Sequence, residues 1–257
     1  MRALAGPRYD RGHVSGRGPI EDRGATLLTA PGRCGIFVTC PILLQGPARS
    51  RTPRRAVGWR QPELVDQINL EHRRALERAN ASVSAAAERA ASDPRRPVYH
   101  LTSPAHWIND PNGPVYYDGE YHLFFQHNPF ASEWGNMSWG HAVSRDLVGW
   151  EHLPIALAPG PGSYDEEGIF SGCCVIHDGV PTILYTGVFP ECQCIATSED
   201  RLRSWVKHPA NPVIGARPRG DLEGFRDPFC WRDQECWYMA LGSRIRGKGG
   251  CVLLYRS

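Results

Sequence analysis

"PVYYDGEYHLFFQHNP", residues 114–129, sets two runs of aromatic and aliphatic residues on either side of Asp118-Gly119. A two-residue hairpin turn needs positive φ at its centre, which Asp and Gly tolerate, and the flanking residues suit half-buried strands. The device recurs as "CCVIHDGVPTILYTG" (173–187) around Asp178-Gly179 and as "PFCWRDQECWYMALGS" (228–243) around Asp233 to Glu235. Repeats at this interval of about fifty to sixty residues suit a β-propeller, whose four-stranded blades take roughly 40 to 50 residues each. A β-sandwich also gives evenly spaced hairpins, so the period favours the propeller without excluding the alternative. Between the hairpins, "SWGHAVSRDLVGWEHLPIAL" (138–157) and "CIATSEDRLRSWVKHPANPVI" (194–214) both run as strand, then a Ser-x-Asp turn, then Trp and Pro. "CVLLYRS" (251–257) begins a third copy.

Upstream the texture differs. Residues 62–92 place Leu64, Ile68, Leu70, Leu76 and several alanines at helical spacings, with no Gly and no internal Pro, and "DPRRP" (93–97) ends the segment. The first sixty residues are rich in Arg, Gly and Pro, show no hydrophobic period, and read as disordered or as a mis-called start. The expected organisation is therefore 1–60 without regular structure, 61–95 helical and 96–257 a β-propeller. "GIFVTCPILL" (35–44) is too short to span a bilayer and makes a poor secretory core, lying far from Met1 without a clean cleavage site.

With 29 basic and 27 acidic residues the net charge is only +2, which argues against nucleic acid, an anionic membrane or a polyanion as partner. The nine cysteines include no Cys-x-x-Cys pair and suggest neither a disulfide scaffold nor structural zinc. Reduced, buried thiols in a cytoplasmic protein are the expectation, with secretion as the alternative. The ten histidines form no His-Glu-x-x-His pattern, and "RGKGG" (246–250) lacks the features of a phosphate-binding loop.

Two acidic residues precede proline: Asp110 in "HWINDPNGP" (106–114) and Asp227 in "GFRDPF" (224–229). Asp-Pro-Asn-Gly fills the four positions of a type I turn, so Asp110 reads either as a turn-former or as a reactive carboxylate. In a propeller the inner strands of all blades line one central funnel, where carboxylates remote in sequence converge. Glycoside cleavage uses such carboxylates, one to attack or stabilise the anomeric carbon and another to protonate the leaving oxygen.

"WINDPNG", "YHLFFQHNP", "WGNMSWGHAVSRDLVGWEHLPIAL", "GIFSGC", "ILYTG" and "FRDPF" together resemble glycoside hydrolase family 32, the invertase, levanase and inulinase group. The resemblance covers Tyr99 to Ser257, with the motifs in the family's order. It implies a five-bladed propeller, normally followed by a β-sandwich, and a retaining double displacement without metal or cofactor. Carried over by position, Asp110 is the nucleophile, and Asp227 holds sugar hydroxyls and stabilises the transition state. Asn109, Gln126, Trp134, Phe170, Ser171 and Arg226 match substrate-contact positions. Two amides suit sugar hydroxyls, two aromatics suit apolar walls, and Arg226 contributes a fixed charge. Outside the motif, core packing would be the ordinary reading of Trp134 and Phe170. Cys173 stands where the family usually has Ser.

The family's acid/base is a Glu followed by Cys, several tens of residues after the Arg-Asp-Pro motif. Glu191 lies ahead of that motif and Glu235 sits in the third hairpin turn, so neither is expected to fill the role. The acid/base is expected beyond Ser257, with three to four blades present and little or no activity in this chain alone, since general acid catalysis is typically worth about 10²- to 10⁴-fold. Expected function is hydrolysis of β-D-fructofuranosidic bonds in sucrose or short fructans. A fructosyltransferase and a non-catalytic carbohydrate-binding remnant are the alternatives.

Overall fold

The computed structural model describes residues 25–30, 33–39, 62–234 and 236–257. Strands β1 (Ala25–Ala30) and β2 (Arg33–Thr39) form an antiparallel pair, and helix α1 (Pro62–Ala91) follows. β3 (Trp107–Tyr117), β4 (Glu120–Asn128), β5 (Ser138–Ser144) and β6 (Glu151–Leu157) make an antiparallel sheet in sequence order. A second sheet repeats this with β7 (Gly168–His177), β8 (Val180–Val188), β9 (Cys192–Thr197) and β10 (Val206–Lys207). β11 (Leu222–Asp233), β12 (Cys236–Ile245) and β13 (Gly249–Arg256) start a third sheet, in which β2 pairs parallel to β13 and β1 lies outermost. Thus part of the segment expected to lack regular structure is a strand pair. Residues 35–39 of the stretch weighed as a secretory core lie in β2, and the remainder falls outside the described residues.

The first two hairpins turn where their sequence requires. Asp118 and Gly119 have φ of 51° and 86°, Asp178 and Gly179 of 48° and 81°, the paired positive values of a two-residue turn that follows the strand twist. The two Ser-x-Asp turns are also alike. Asp146 Oδ1 accepts the Val148 and Gly149 N–H groups, and Asp200 Oδ1 accepts that of Ser204. Ser144 Oγ accepts the Leu147 N–H, and Ser198 Oγ that of Leu202. These local bonds satisfy loop backbone that no strand pairs, which explains why the motif recurs.

β7 contacts both β3 and β11, so the first strands of the three sheets lie side by side while their later strands lead outward. Phe124, Trp139, Leu157, Ile169, Ile183, Tyr185 and Trp205 fill the space between the first and second sheets. Leu184, Ile195, Phe225, Met239, Leu241, Leu253 and Tyr255 fill that between the second and third. Each such side chain contributes about 1.5–3 kcal/mol on full burial, so face-to-face packing of successive sheets is the main source of stability. Adjacent Cys173 and Cys174 on β7 show the strand alternation directly, since one faces each core. The seven cysteines from Cys173 onward are free thiols among the described residues, six of them buried and Cys236 partly exposed.

Helix α1 is a single helix that packs along the outer edges of the first two sheets, with His72, Ala75 and Ala79 buried. Glu63 in its first turn and Arg89 in its last complement the helix dipole. Its asparagines do what a further strand would do. Asn69 Oδ1 accepts the Lys207 N–H (3.0 Å) and its Nδ2 donates to Lys207 O (3.2 Å), while Asn80 Oδ1 accepts the Ile155 N–H (3.0 Å). β6 and β10 are the outer edge strands, and an uncovered edge invites pairing with another chain.

Beneath β10 lies an ion pair with both side chains at 0% exposure: Lys207 Nζ is 2.7 Å from Asp165 Oδ2. Lys207 also donates to Ala158 O, and Asp165 accepts from Tyr185 OH (2.9 Å) and Ser163 Oγ (2.5 Å). Each charge therefore has the partners that burial requires. The network fixes the loop that leads into β7.

Candidate active site

Asp110 is not in a turn. It lies in β3, where the register against β4 passes from Ile108↔His127 to Pro111↔Phe125, three steps against two. One residue of the Asn109-Asp110 pair is thus surplus to the ladder, a β-bulge. β7 does the same: Phe170 pairs with Thr186 and Gly172 with Tyr185, leaving Ser171 unpaired. In β11, Arg226 pairs with Gly242 and Phe229 with Ala240, so the surplus falls at Asp227-Pro228. Each of the three neighbouring first strands has a bulge at a residue singled out from the sequence. A bulge bends the strand and re-aims its side chain, which lets a residue leave the alternation between two cores and face a common space.

The resulting juxtapositions are direct. Ser171 Oγ donates to Asp110 Oδ2 at 3.2 Å, joining the first sheet to the second. Gly113, with φ of 47°, lets β3 approach β7 so closely that an added Cβ would meet Cys174 at 2.9 Å. Asp227 has φ of 60°, a left-handed conformation Asp tolerates better than most residues. Its N–H donates to Thr186 Oγ1 (3.1 Å); that hydroxyl donates to Gln193 Oε1 (3.0 Å), and Gln193 Nε2 donates to Phe225 O (2.6 Å). The second sheet thereby holds the bulge of the third from both sides.

Burial raises the carboxyl of Asp227 above the usual carboxylate range; Arg226 opposes the shift, and the negative charges of Asp110 and Glu191 add to it. Arg226 Nε lies 4.0 Å from Asp227 Oδ2, and Arg226 Nη1 lies 3.8 Å from Glu191 Oε1.

The remaining expected residues lie on β3, β4, the β4–β5 connection and β7. Trp134 is 49% exposed and sits edge-on to Phe170 with ring centroids 6.1 Å apart, so the core-packing reading does not hold for Trp134. Asn109 Oδ1 accepts the Trp107 indole N–H (2.6 Å), so its amide N–H groups are what it can offer a ligand. Gln126 is buried and donates to Ile169 O (3.0 Å), tying β4 to β7. Among the described residues no group of three His, Cys, Asp or Glu is placed to hold a metal ion. Glu235 lies outside the described residues.

Thr186, Gln193 and Glu191 were not expected at the site. The sequence drew attention to Glu191 only as a proton donor, a role for which its position before the Arg-Asp-Pro motif disqualifies it. Its Oε2 instead accepts the Phe225 N–H at 2.5 Å.

Residues 100–257 match the family model described as glycosyl hydrolases family 32, N-terminal domain. A sucrose-6-phosphate hydrolase of Zymomonas mobilis is 43% identical over 196 residues, which is 71% of this chain and 38% of that protein. Among solved structures, a β-fructofuranosidase of Bombyx mori superposes with a TM-score of 0.63 at 40% identity, covering 72% of this chain and 40% of that one. A variant of that enzyme in complex with sucrose gives a TM-score of 0.63 at 39% identity, covering 72% and 39%. The chain thus spans about two fifths of the length of these relatives. Its three sheets correspond to part of a β-propeller.

Proposed function

The chain belongs to glycosyl hydrolase family 32, and from that premise we propose that the protein hydrolyses β-D-fructofuranosidic bonds with retention, sucrose or a short fructan being the substrate. One observation supports the reading: the bulges of three neighbouring first strands fall at Asp110, Ser171 and Asp227, and Ser171 is bonded to Asp110. The sucrose complex of the Bombyx mori variant supports a carbohydrate ligand. The near-neutral charge and the free thiols favour a cytoplasmic protein with no nucleic acid or membrane partner.

An Asp110 oxygen attacks the anomeric carbon of the fructosyl unit, forming an ester as the bond to the leaving oxygen breaks. Water, giving a proton to the group that earlier protonated the leaving oxygen, then adds to the same carbon, releasing fructose and restoring the carboxylate. Ser171 orients the attacking group through its hydrogen bond. Asp227 accepts hydrogen bonds from sugar hydroxyls, Asn109 donates to them, and Trp134 with Phe170 covers the apolar face of the ring. The leaving oxygen takes its proton from a further acid, which the resemblance assigns to a Glu-Cys glutamate. Glu191 is not that acid, because one of its oxygens accepts the Phe225 N–H and the other faces Arg226.

β-D-Fructofuranosyl fluoride tests Asp110 separately, since fluoride departs without needing a proton from the protein. The chain is expected to release fluoride as the fructosyl ester forms, and Asp110→Asn to lose this by about 10³-fold or more. Fluoride release at the parental rate by the Asn variant would end the assignment.

A further inference from the structure

We propose that Glu191 is a positioning residue of this site: it anchors the β11 bulge through Phe225 and holds the Arg226 guanidinium off Asp227, so that the Asp227 carboxylate stays open to sugar hydroxyls. Glu191 sits in the turn between β8 and β9, where a glutamate ordinarily extends into water, yet its side chain is only 15% exposed. The 2.5 Å bond from Phe225 N–H fixes the chain two residues before Asp227. Its second oxygen stands 3.8 Å from Arg226 Nη1, while Arg226 Nε stands 4.0 Å from Asp227 Oδ2. A guanidinium between two carboxylates normally closes on one of them in a bidentate fork. Here it is shared, and neither ion-pair separation is within hydrogen-bond reach. Without the pull of Glu191, Arg226 would be free to close on Asp227 and cover the oxygens needed for the ligand.

The charged groups acting on Asp227 are Arg226 beside it on β11, Asp110 from β3 and Glu191 from the β8–β9 turn. Neutralising Glu191 removes a negative neighbour and releases Arg226 toward Asp227. Both changes favour the ionised form of Asp227.

The inference uses the proposed function only for the role given to Asp227, and its test needs no turnover. The chain is labelled with ¹³C at aspartate carboxyls, and Asp227 is titrated by NMR in the parent, Glu191→Gln and Glu191→Ala. Glutamine keeps an oxygen for the Phe225 N–H, so the expected result is a lower Asp227 midpoint with the Phe225 amide exchanging as in the parent. Alanine is expected to lower the midpoint and also speed Phe225 exchange. Charge removal alone also lowers the midpoint, so the Arg226 guanidinium is followed by ¹⁵N NMR beside the titration: Glu191→Gln is expected to slow its N–H exchange as it closes on Asp227, and a midpoint that stays put, or falls with Arg226 exchanging as in the parent, overturns the proposal. Fluoride release and this titration can fail independently, so loss of one reading is distinguishable from loss of the other.

Discussion

Ser171 Oγ donates to Asp110 Oδ2 across the boundary between the first two sheets, at 3.2 Å. Both residues are surplus to their own ladders or next to the surplus residue, so neither is fixed by strand pairing alone. Ser171→Ala should therefore leave the thermal midpoint nearly unchanged. It should slow fluoride release from fructosyl fluoride by roughly tenfold, the worth of one hydrogen bond to a charged group. A loss as large as that of Asp110→Asn would show that Ser171 does more than orient.

Asp227 gives a pH-dependent prediction. Its folded-state carboxyl is raised by burial, so the native state binds the proton more tightly than the unfolded chain does. Stability from this group is lost as the pH rises through the window between the two values. Asp227→Asn should unfold at a higher temperature than the parent at pH 7, and the gap should narrow as the pH falls below the ordinary carboxylate range. Thermal melts at pH 7, 5 and 3.5 measure this. Asparagine also tolerates the positive φ at this position, but any gain from that source would not vary with pH.

Lys207 and Asp165 are both fully buried, and their pairing is satisfied on every side. Lys207→Met strands the carboxylate of Asp165 and should cost about 3–5 kcal/mol in urea unfolding. Combining it with Asp165→Asn should recover part of the loss, because the uncompensated charge is then gone. An additive double variant would contradict the direct coupling.

Asn80 covers the Ile155 N–H on the edge of the first sheet. Asn80→Ala should destabilise by about 1 kcal/mol and speed exchange of the Ile155 amide, leaving the β8 amides protected. Unchanged exchange at Ile155 would mean that the helix shields the edge without bonding to it.

The hairpins were legible because Asp118-Gly119 and Asp178-Gly179 encode their turns within two residues, and the Ser-x-Asp loops because Asp146 and Asp200 bond within their own segments. Asp110-Pro111-Asn112-Gly113 misleads for the same reason: it meets the local rule for a turn, but pairing with β4 holds it in a strand. Bulges at Asp110, Ser171 and Asp227 escape a linear reading, since a surplus residue exists only relative to a partner strand. Lys207, in "SWVKHP", looks like any surface lysine, and only the loop around Asp165 reveals its burial. For Glu191, its place before the Arg-Asp-Pro motif argues against a proton donor, but nothing in "ECQC" reveals that its carboxylate reaches the Phe225 N–H of another sheet.

Residues left out of the ladder at the bulges answer to different demands from their neighbours. Removing one by deletion would leave two steps against two, a regular ladder in which the strand loses its bend, whereas replacing it leaves both pairing and bend untouched. Chemistry at these positions can therefore drift by substitution, while losing a residue there would keep the sheet and straighten the site out of existence.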